Sequence, residues 1–286
     1  MKARVLAYAK LNLCLEVHGL RSDGFHEIRS LVQTIDLADR IEIAPGKGVQ
    51  VSCSAELDGP NIAEQALRSL LKQKRTRAGV TVRIEKNIPM RAGLGGGSSD
   101  AAAVLVVVNR LIPPVVLSSD LLEIAGTLGA DVPLFLTGGC VRVSGRGDPE
   151  DFLPPRSETY AVLVPPVYCS TSEIYRTWRA TMSATNGFQG NGPELGRNDL
   201  FPAAARLVPE LQGFRYAVSD LGGLFSGMTG SGSGFYAAFT DRVQAEQACV
   251  RLRRQEPGCR VYCCQPTSTG FAEPTGVGFA EEVDEP

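Results

Sequence analysis

Histidine and tryptophan are scarce in this chain of 286 residues, which has only His18, His26 and one tryptophan. None of its eight cysteines belongs to a C-x-x-C pair. Because zinc sites use closely spaced cysteine and histidine ligands, the sequence argues against a zinc protein. The cysteines are expected to be reduced thiols, mostly small core residues. The glycine-serine segment 227–234 does not match the nucleophile pattern G-x-S-x-G, and neither histidine has suitable partners. Ser-His-Asp hydrolysis is therefore set aside.

The chain also lacks an excess of positive charge and a long apolar run. Its formal net charge is −2, whereas proteins that bind the nucleic-acid backbone need a basic surface. The apolar run 101–108 is too short to span a bilayer. Lys10 and Asn12 interrupt the N-terminal apolar stretch, which is therefore not read as a signal peptide. We expect a cytoplasmic protein with no nucleic-acid or membrane partner, and the oligomeric state stays open.

Glycine is concentrated in the segment P-M-R-A-G-L-G-G-G-S-S-D-A-A-A at 89–103, which has four glycines within five positions. Alternating apolar residues precede this segment and a helix-forming run follows it. A glycine-dense turn before a helix leaves backbone N–H groups free at the positive end of the helix dipole, which is a phosphate site. It is neither a Walker P-loop, which would end in G-K-[ST], nor a dinucleotide fingerprint. Ser98 and Ser99 can bind phosphate or Mg²⁺, or simply cap the helix.

Periodicity and capping signals predict the other elements of the chain. The alternation at 4–18 predicts a half-buried strand, and 40–53 reads as a strand pair. Asp148–Pro155 reads as a domain joint, and the segment after Gln265 as a mobile tail. Helices are predicted at 61–71, 98–111, 119–128 and 198–211 and after Asp241, strands at 79–86, 138–144, 160–164 and 235–239, and loops at 181–197 and 227–234.

Four residues outside the glycine loop are candidates for chemistry. Lys10 and Asn12 share one face of their strand, roughly 7 Å apart. Lys10 is either a solvated lysine on an edge strand or a cation near a reacting group. Asp131 lies between a helix end and Pro133, as a turn residue or as a carboxylate able to orient or deprotonate an alcohol. His26 is either a core histidine or, beside Phe25, part of a nucleobase site.

Three segments together resemble the motifs of the GHMP small-molecule kinases. They are A-K-L-N-L at 9–13 with R-S-D-G-F-H at 21–26, the glycine segment from Pro89, and the glycine-serine segment 227–234. The stretch R-x-D-G-[YF]-H and the segment T-L-G-A-D-V-P-L-F at 127–135 resemble the branch that phosphorylates a hydroxyl of a cytidyl diphosphate sugar alcohol in non-mevalonate isoprenoid synthesis. Homoserine and mevalonate kinases do not share that first stretch. The resemblance runs from about residue 3 to residue 265.

The resemblance implies a two-lobed α+β fold with ATP, Mg²⁺ and substrate in the cleft between the lobes. The N-terminal lobe, 1–152, would resemble ribosomal protein S5 domain 2. The C-terminal lobe, 153–265, would be ferredoxin-like, and 266–286 would be the mobile tail.

The resemblance also implies roles for individual residues, and leaves the metal ligands open. Lys10 and Asp131 match the catalytic pair, and Asn12, Phe25, His26, Thr171 and Tyr175 match the substrate side, with the two aromatic residues at 25 and 175 sandwiching a cytosine. The ATP phosphate loop corresponds to Pro89, Met90, Arg91, Ala92, Gly93, Leu94, Gly95, Gly96, Gly97, Ser98 and Ser99.

Two departures from the motifs concern the aromatic pair. Phe25 stands where the resemblance implies tyrosine, and Tyr175 stands where it implies phenylalanine, so that both stacking faces remain and the hydroxyl moves from position 25 to position 175. Three alternatives stay open: a homoserine or mevalonate kinase, an S5-like RNA-binding module, and a catalytically silent nucleotide sensor.

Overall fold

The computed structural model describes residues 2–57, 59–181 and 194–272, and these residues form two lobes built on two sheets. The first lobe has seven strands: β1 (Ala3–Leu20), β2 (His26–Pro45), β3 (Val49–Cys53), β4 (Val80–Glu85), β5 (Cys140–Ser144), β6 (Asp148–Leu153) and β11 (Phe271–Ala272). Its helices are α1 (Ile62–Gln73), α2 (Gly96–Leu111), α3 (Ser118–Leu128) and α4 (Val132–Phe135). The second lobe holds β7 (Thr159–Val164), β8 (Phe225–Met228), β9 (Phe235–Phe239), β10 (Arg260–Cys264), α5 (Thr171–Thr181), α6 (Phe201–Leu207), α7 (Leu211–Ser219) and α8 (Arg242–Gln255).

The first sheet runs in the order β11-β1-β2-β4-β3, and the β5–β6 hairpin extends it from β2. The predicted strand at 4–18 is confirmed, but the prediction that it is half-buried is wrong. From Ala9 to Val17 both of its faces are buried. The reason is topological: the apolar face of β1 packs on α2 and, through Leu15 and Val17, on the core of the second lobe. The two glycine segments cover the other face, because Gly95 lies against Lys10 and Gly230 against Asn12. Lys10 is therefore on a central strand and not on a solvated edge.

The segment 40–53 forms two strands, but these do not pair with each other. β4 lies between β2 and β3, antiparallel to β2 and parallel to β3. A parallel pair needs a crossover connection, and α1 supplies it. Asn61 caps that helix as predicted, since its side chain accepts a hydrogen bond from the backbone N–H of Ala63 at 2.9 Å. The crossover packs α1 against α2 and so fixes the helix that follows the glycine loop.

The second lobe is a β-α-β-β-α-β arrangement with additional helices. Its four strands run in the order β10-β7-β9-β8, and each neighbouring pair is antiparallel. This connectivity is the ferredoxin-like split βαβ fold, which confirms the predicted α+β class. The predicted capping residue Asp241 accepts a hydrogen bond from the N–H of Gln244 at 2.9 Å at the start of α8. The segment 198–211 is predicted to be helical with breaks near Pro202 and Pro209. The break near Pro209 is confirmed, since it separates α6 from α7, whereas Pro202 lies in the first turn of α6 and does not break it.

Two boundary predictions are wrong. The predicted joint Asp148–Pro155 is largely strand β6, which pairs with β5 in a hairpin. The predicted mobile tail begins with a folded segment, because β11 pairs with β1, and Tyr8 donates its N–H to the carbonyl of Gly270 at 3.0 Å. Residues 273–286, and 182–193 of the predicted loop at 181–197, lie outside the described residues. Within the described ranges, every helix is too short or too polar to cross a membrane.

Candidate active site

The glycine loop connects β4 to α2 and lies at the junction of the two lobes. Helix α2 begins at Gly96, two residues earlier than predicted. Gly95 precedes it with φ = 73°, in the left-handed region that favours glycine. A glycine at the N-cap has no side chain with which to cap the first turn, so the backbone N–H groups there face an added ligand. The loop therefore has the geometry of an anion cradle.

Gly95 and Gly97 differ sharply in what a side chain would meet. A Cβ atom at Gly95 would lie 2.8 Å from the ring of Phe135 and 3.1 Å from Cγ of Lys10. A Cβ atom at Gly97 would meet only Ile62, at 3.8 Å. The two positions are thus a matched pair, with strain expected at one and ordinary contact at the other.

We predict that Gly95→Ala lowers the free energy of unfolding by about 1–3 kcal/mol, because it adds both left-handed strain and overlap. Gly97→Ala is expected to leave the unfolding midpoint unchanged or raise it slightly, because alanine favours helix. Urea titration of both variants measures the difference. Equal midpoints for the two variants would contradict the proposed backbone requirement at Gly95.

The second glycine loop, 227–234, supports the first. The Thr229 hydroxyl donates to the carbonyl of Gly93 at 3.2 Å, and the N–H of Gly234 donates to the carbonyl of Ala92 at 3.1 Å. A Cβ atom at Gly93 would lie 2.2 Å from the Thr229 carbonyl oxygen, so glycine is needed for this approach. Asn198 holds the second loop from its other side through hydrogen bonds to two of its carbonyls. The two loops form one packed unit.

Lys10 and Asp131 come together at this unit from distant parts of the chain. The Lys10 Nζ atom lies 3.5 Å from Asp131 Oδ2 and donates a hydrogen bond to Asn12 Oδ1. The Lys10 side chain is 4% exposed, whereas that of Asp131 is 41% exposed. Asp131 precedes α4, and its side chain makes no capping hydrogen bond to that helix. A buried cation thus lies beside a carboxylate that is open to the cleft.

Asn12 is fixed in turn by both lobes. Its side-chain amide donates to the Ser30 hydroxyl at 2.8 Å, and its backbone N–H donates to the Thr229 hydroxyl at 3.0 Å. With its amide N–H occupied on Ser30, the Asn12 carbonyl oxygen is turned to Lys10 and directs the ammonium group. The predicted common face of Lys10 and Asn12 is therefore a hydrogen-bonded pair.

Two cavities meet at the first glycine loop. The smaller, about 590 Å³, is lined by every residue from Pro89 to Ser98 and by Asn61, Lys86 and Asp100. The larger, about 870 Å³, contains Lys10, Asn12 and Asp131. Arg91, Gly93, Gly95, Ser98 and Thr171 line both. Ser99 lines neither; its hydroxyl is buried and has no hydrogen-bond partner among the described residues.

The other predicted substrate-side residues, Phe25, His26, Thr171 and Tyr175, also line the larger cavity. His26 stacks on Tyr175, with ring centroids 4.9 Å apart, and meets Trp178 edge-on at 5.4 Å. Burial, and next the charge of Arg179, lower the pKa of His26, which favours the neutral form of its ring. Burial, and next the charge of Asp131, raise the pKa of Tyr175 to about 12. Thr171 shares a hydrogen bond of 2.7 Å with Ser231 of the second glycine loop.

Phe25 lines the same cavity but does not pair with Tyr175 in the structure. Its ring lies under the guanidinium group of Arg146, with Cζ 3.9 Å from the ring centroid, and 49% of the residue remains exposed. A base held between Phe25 and Tyr175 therefore stays a prediction. The Nε2 atom of His26 is buried without a hydrogen-bond partner among the described residues, and so is available to an added ligand.

Sequence reasoning missed an ionic cluster beneath the smaller cavity. Lys86 Nζ bridges Asp39 Oδ2 and Asp100 Oδ2, the latter at 2.8 Å, and all three side chains are buried. Asp39 also accepts the N–H groups of Asn87 and Ile88 at 2.6 and 2.8 Å. Burial raises the pKa of Asp100 well above its ordinary value. The cluster joins the first turn of α2 to β2. In the sequence, only the charged residues next to the glycine loop indicate it.

The chain matches two domain models that together cover more than half of it. Residues 61–139 match the GHMP kinases N terminal domain, and residues 174–258 match GHMP kinases C terminal. A curated relative from Gloeobacter violaceus, "4-diphosphocytidyl-2-C-methyl-D-erythritol kinase", is 34% identical over 94% of this chain and 95% of its own length.

Solved structures of kinases are also similar to this chain. A crystal structure of 4-(cytidine 5'-diphospho)-2C-methyl-D-erythritol kinase superposes with a TM-score of 0.79 at 33% identity, covering 93% of this chain and 99% of the other. A homoserine kinase from Cytophaga hutchinsonii superposes with a TM-score of 0.72 at 18% identity over 95% of this chain and 96% of its own, which shows a shared fold.

Proposed function

Because the chain belongs to the GHMP kinases, and among them to the 4-diphosphocytidyl-2-C-methyl-D-erythritol kinases, we propose that it phosphorylates that substrate. It is an ATP-dependent kinase that transfers the γ-phosphoryl group of ATP to a hydroxyl of the substrate, giving the 2-phosphate. The reaction belongs to the non-mevalonate route to isoprenoid precursors. A cytoplasmic location stays a prediction from the sequence.

One observation supports this function most directly: the glycine loop is the common wall of two cavities, and Lys10 and Asp131 lie in the larger one beside that wall. Phosphoryl transfer requires the donor phosphate and the acceptor alcohol to be aligned and their charge neutralised. ATP would occupy the smaller cavity, with its phosphates on the backbone N–H groups of 93–99. The sugar alcohol would occupy the larger cavity, with its hydroxyl beside Asp131.

Lys10 and Asp131 would then have different roles at the acceptor hydroxyl group. Asp131 would orient the hydroxyl group and accept its proton, since its carboxylate is open to the cleft. Lys10, fixed by Asn12, would hold that carboxylate and stabilise the negative charge that develops on the transferred group. At the far end, the neutral His26 ring would contact the cytosine edge, and Phe25 and Tyr175 would offer stacking faces.

Mg²⁺ is proposed to accompany ATP, and the residues present fit it. Magnesium prefers oxygen ligands and usually keeps several waters and phosphate oxygens. Ser98, whose hydroxyl is an oxygen ligand, lines both cavities, and the Asp131 carboxylate is open. When bound, the ion would neutralise charge on the phosphates. In the described ranges no group of three or more histidine, cysteine or acidic side chains is placed to hold a metal ion, so most ligands would come from ATP and water.

A coupled ADP-release assay tests the proposal. We expect turnover with 4-diphosphocytidyl-2-C-methyl-D-erythritol and little with mevalonate or homoserine, because those alcohols lack a cytidine to fill the aromatic end of the larger cavity. Background ATP hydrolysis without an alcohol provides the control. Faster ADP release with homoserine or mevalonate than with the cytidyl substrate would contradict the assignment.

A further inference from the structure

The larger cavity is lined by more positive charge than a sugar alcohol and a cytosine would require. Among the described residues, its lining contains Lys10, Arg91, Arg146, Arg176 and Arg179, but only one carboxylate, that of Asp131. Such a surplus of cations concentrates anionic ligands. The substrate under the proposed function carries a diphosphate between its cytidine and its sugar alcohol, and no residue has yet been assigned to that diphosphate.

Arg146 is more available to a ligand than Arg176 is. Arg176 lies 3.6 Å from Glu173 in an ion pair, whereas Arg146 has no ion pair among the described residues. Its Nε atom is buried and has no hydrogen-bond partner in that part of the chain. A buried N–H group without a partner is costly, so a ligand oxygen that accepts from it gains that energy.

The turn that carries Arg146 is fastened to the turn that carries Phe25. Glu27 makes the connection, because it accepts from Arg21 Nη1 at 2.7 Å and from the N–H of Gly145 at 3.0 Å. Ile28 adds a hydrogen bond of 2.9 Å to the carbonyl of Gly145. The stacking of Arg146 on Phe25 is therefore set by the backbone of two joined turns.

The same turn also reaches the reacting end of the cavity. A Cβ atom at Gly147 would lie 3.3 Å from the carbonyl oxygen of Ala130, the residue before Asp131. Arg146 thus lies on a turn between Phe25, at the base end, and Asp131, at the alcohol end. In the substrate, the diphosphate occupies the corresponding place between the cytidine and the sugar alcohol.

We propose that Arg146 binds the diphosphate of the substrate and so determines specificity for a nucleoside diphosphate over a nucleoside. The face of its guanidinium group stacks on Phe25, and its edge donates parallel hydrogen bonds to phosphoryl oxygens. A planar guanidinium group can do both at once, whereas an ammonium group cannot. This inference rests on the proposed function, because that function supplies the cytidyl diphosphate ligand.

Calorimetric titration with cytidine and with cytidine diphosphate tests the subsite, after the ATP cavity is filled with a non-hydrolysable ATP analogue. In the unmodified protein, cytidine diphosphate should bind more tightly than cytidine. We expect Arg146→Met to weaken cytidine diphosphate binding about tenfold to a hundredfold, the usual effect of losing charge-assisted hydrogen bonds. Cytidine binding should change less than about threefold, because it lacks the phosphates.

Two further variants test whether the effect of Arg146→Met is specific to this position and to the guanidinium group. Arg142→Met removes an exposed arginine from β5 of the same hairpin, where it pairs with Asp151, and should leave both affinities unchanged. Arg146→Lys keeps the charge without the planar fork, and should recover only part of the preference for the diphosphate. Full recovery in Arg146→Lys would overturn the stacked-fork geometry.

The remaining outcomes separate this inference from the proposed function. If Arg146→Met weakened both ligands equally, Arg146 would only support Phe25, and the diphosphate subsite would be wrong. An unchanged ratio of the two affinities, in a protein that still phosphorylates the cytidyl substrate, would overturn the subsite alone. A protein that bound neither cytidine ligand but phosphorylated another alcohol would overturn both.

Discussion

Asp131→Asn is expected to lower kcat by about 10²-fold or more while the affinity for ATP stays within about twofold. Asparagine has nearly the shape of aspartate and can still orient a hydroxyl group, but it cannot accept the proton. Asp131 makes no capping bond to α4 and its side chain is 41% exposed, but its charge lies 3.5 Å from the buried Lys10 ammonium group. Loss of that counter-charge should lower the unfolding midpoint, so turnover is compared on the folded enzyme, where loss of the base should dominate.

Steady-state kinetics with the cytidyl substrate, together with titration of a non-hydrolysable ATP analogue, measure the two quantities separately. Asp120→Asn is a suitable control, since Asp120 lies in the first turn of neighbouring α3 and lines neither cavity. It should keep full turnover. Turnover within threefold of the unmodified enzyme in Asp131→Asn would remove this carboxylate from the role of base and leave it at most a positioning role.

The local elements of the site could be predicted from the sequence because their signals are themselves local. Four glycines before a capped helical run indicate a phosphate loop, and period-two alternation places Lys10 and Asn12 on one face. The short segment from Gly129 to Pro133 predicts a carboxylate between a helix end and a proline. Each of these inferences needs only the conformation of a few consecutive residues.

Burial could not be predicted in the same way, because it depends on which elements cover a strand. The alternation of β1 is that of a strand with one solvated face, yet the two glycine loops cover Lys10 and Asn12 on its polar face, and Arg197 pairs with Glu16 there. The same missing information led to the error at the C-terminus. Segment 266–272 has three hydroxyl residues, one proline and one glycine, but it adds a strand to the edge of β1 through backbone hydrogen bonds, which depend little on side-chain identity.

Contacts between distant turns were also invisible in the sequence. Arg146 lies in an ordinary glycine-flanked turn, and nothing in its neighbourhood predicts that it will lie over Phe25. The contact depends on Glu27, whose two carboxylate oxygens join the turns through one side chain and one backbone group. The charged residues of the R-S-D-G-F-H-E stretch thus stabilise the frame that presents Phe25 and His26. Only the three-dimensional arrangement distinguishes such framing residues from residues that face the ligand.

Lys10→Met is expected to lower kcat by about 10²-fold or more, with a smaller effect on stability. Methionine keeps most of the length of the side chain and its apolar stem, but it removes the positive charge 3.5 Å from Asp131. That charge is most valuable when negative charge develops on the transferred group, in a buried setting that screens it little. The variant also leaves Asn12 Oδ1 without its donor, which costs roughly 1–3 kcal/mol of stability at most.

Lys74→Met is the matched control for Lys10→Met, because Lys74 is also buried but serves the fold. Its ammonium group donates to the carbonyls of Asn109, Ile112 and Pro114 at the end of α2, and it lines neither cavity. Lys74→Met should lower the unfolding midpoint, since three carbonyl acceptors lose a charged donor, while kcat of the folded enzyme stays near normal. The two variants therefore separate loss of a buried lysine from loss of this particular charge. If Lys10→Met turned over normally, or if both variants lost turnover in proportion to stability, Lys10 would be a structural residue, and the charge that stabilises the transferred phosphoryl group would have to come from elsewhere in the cavity.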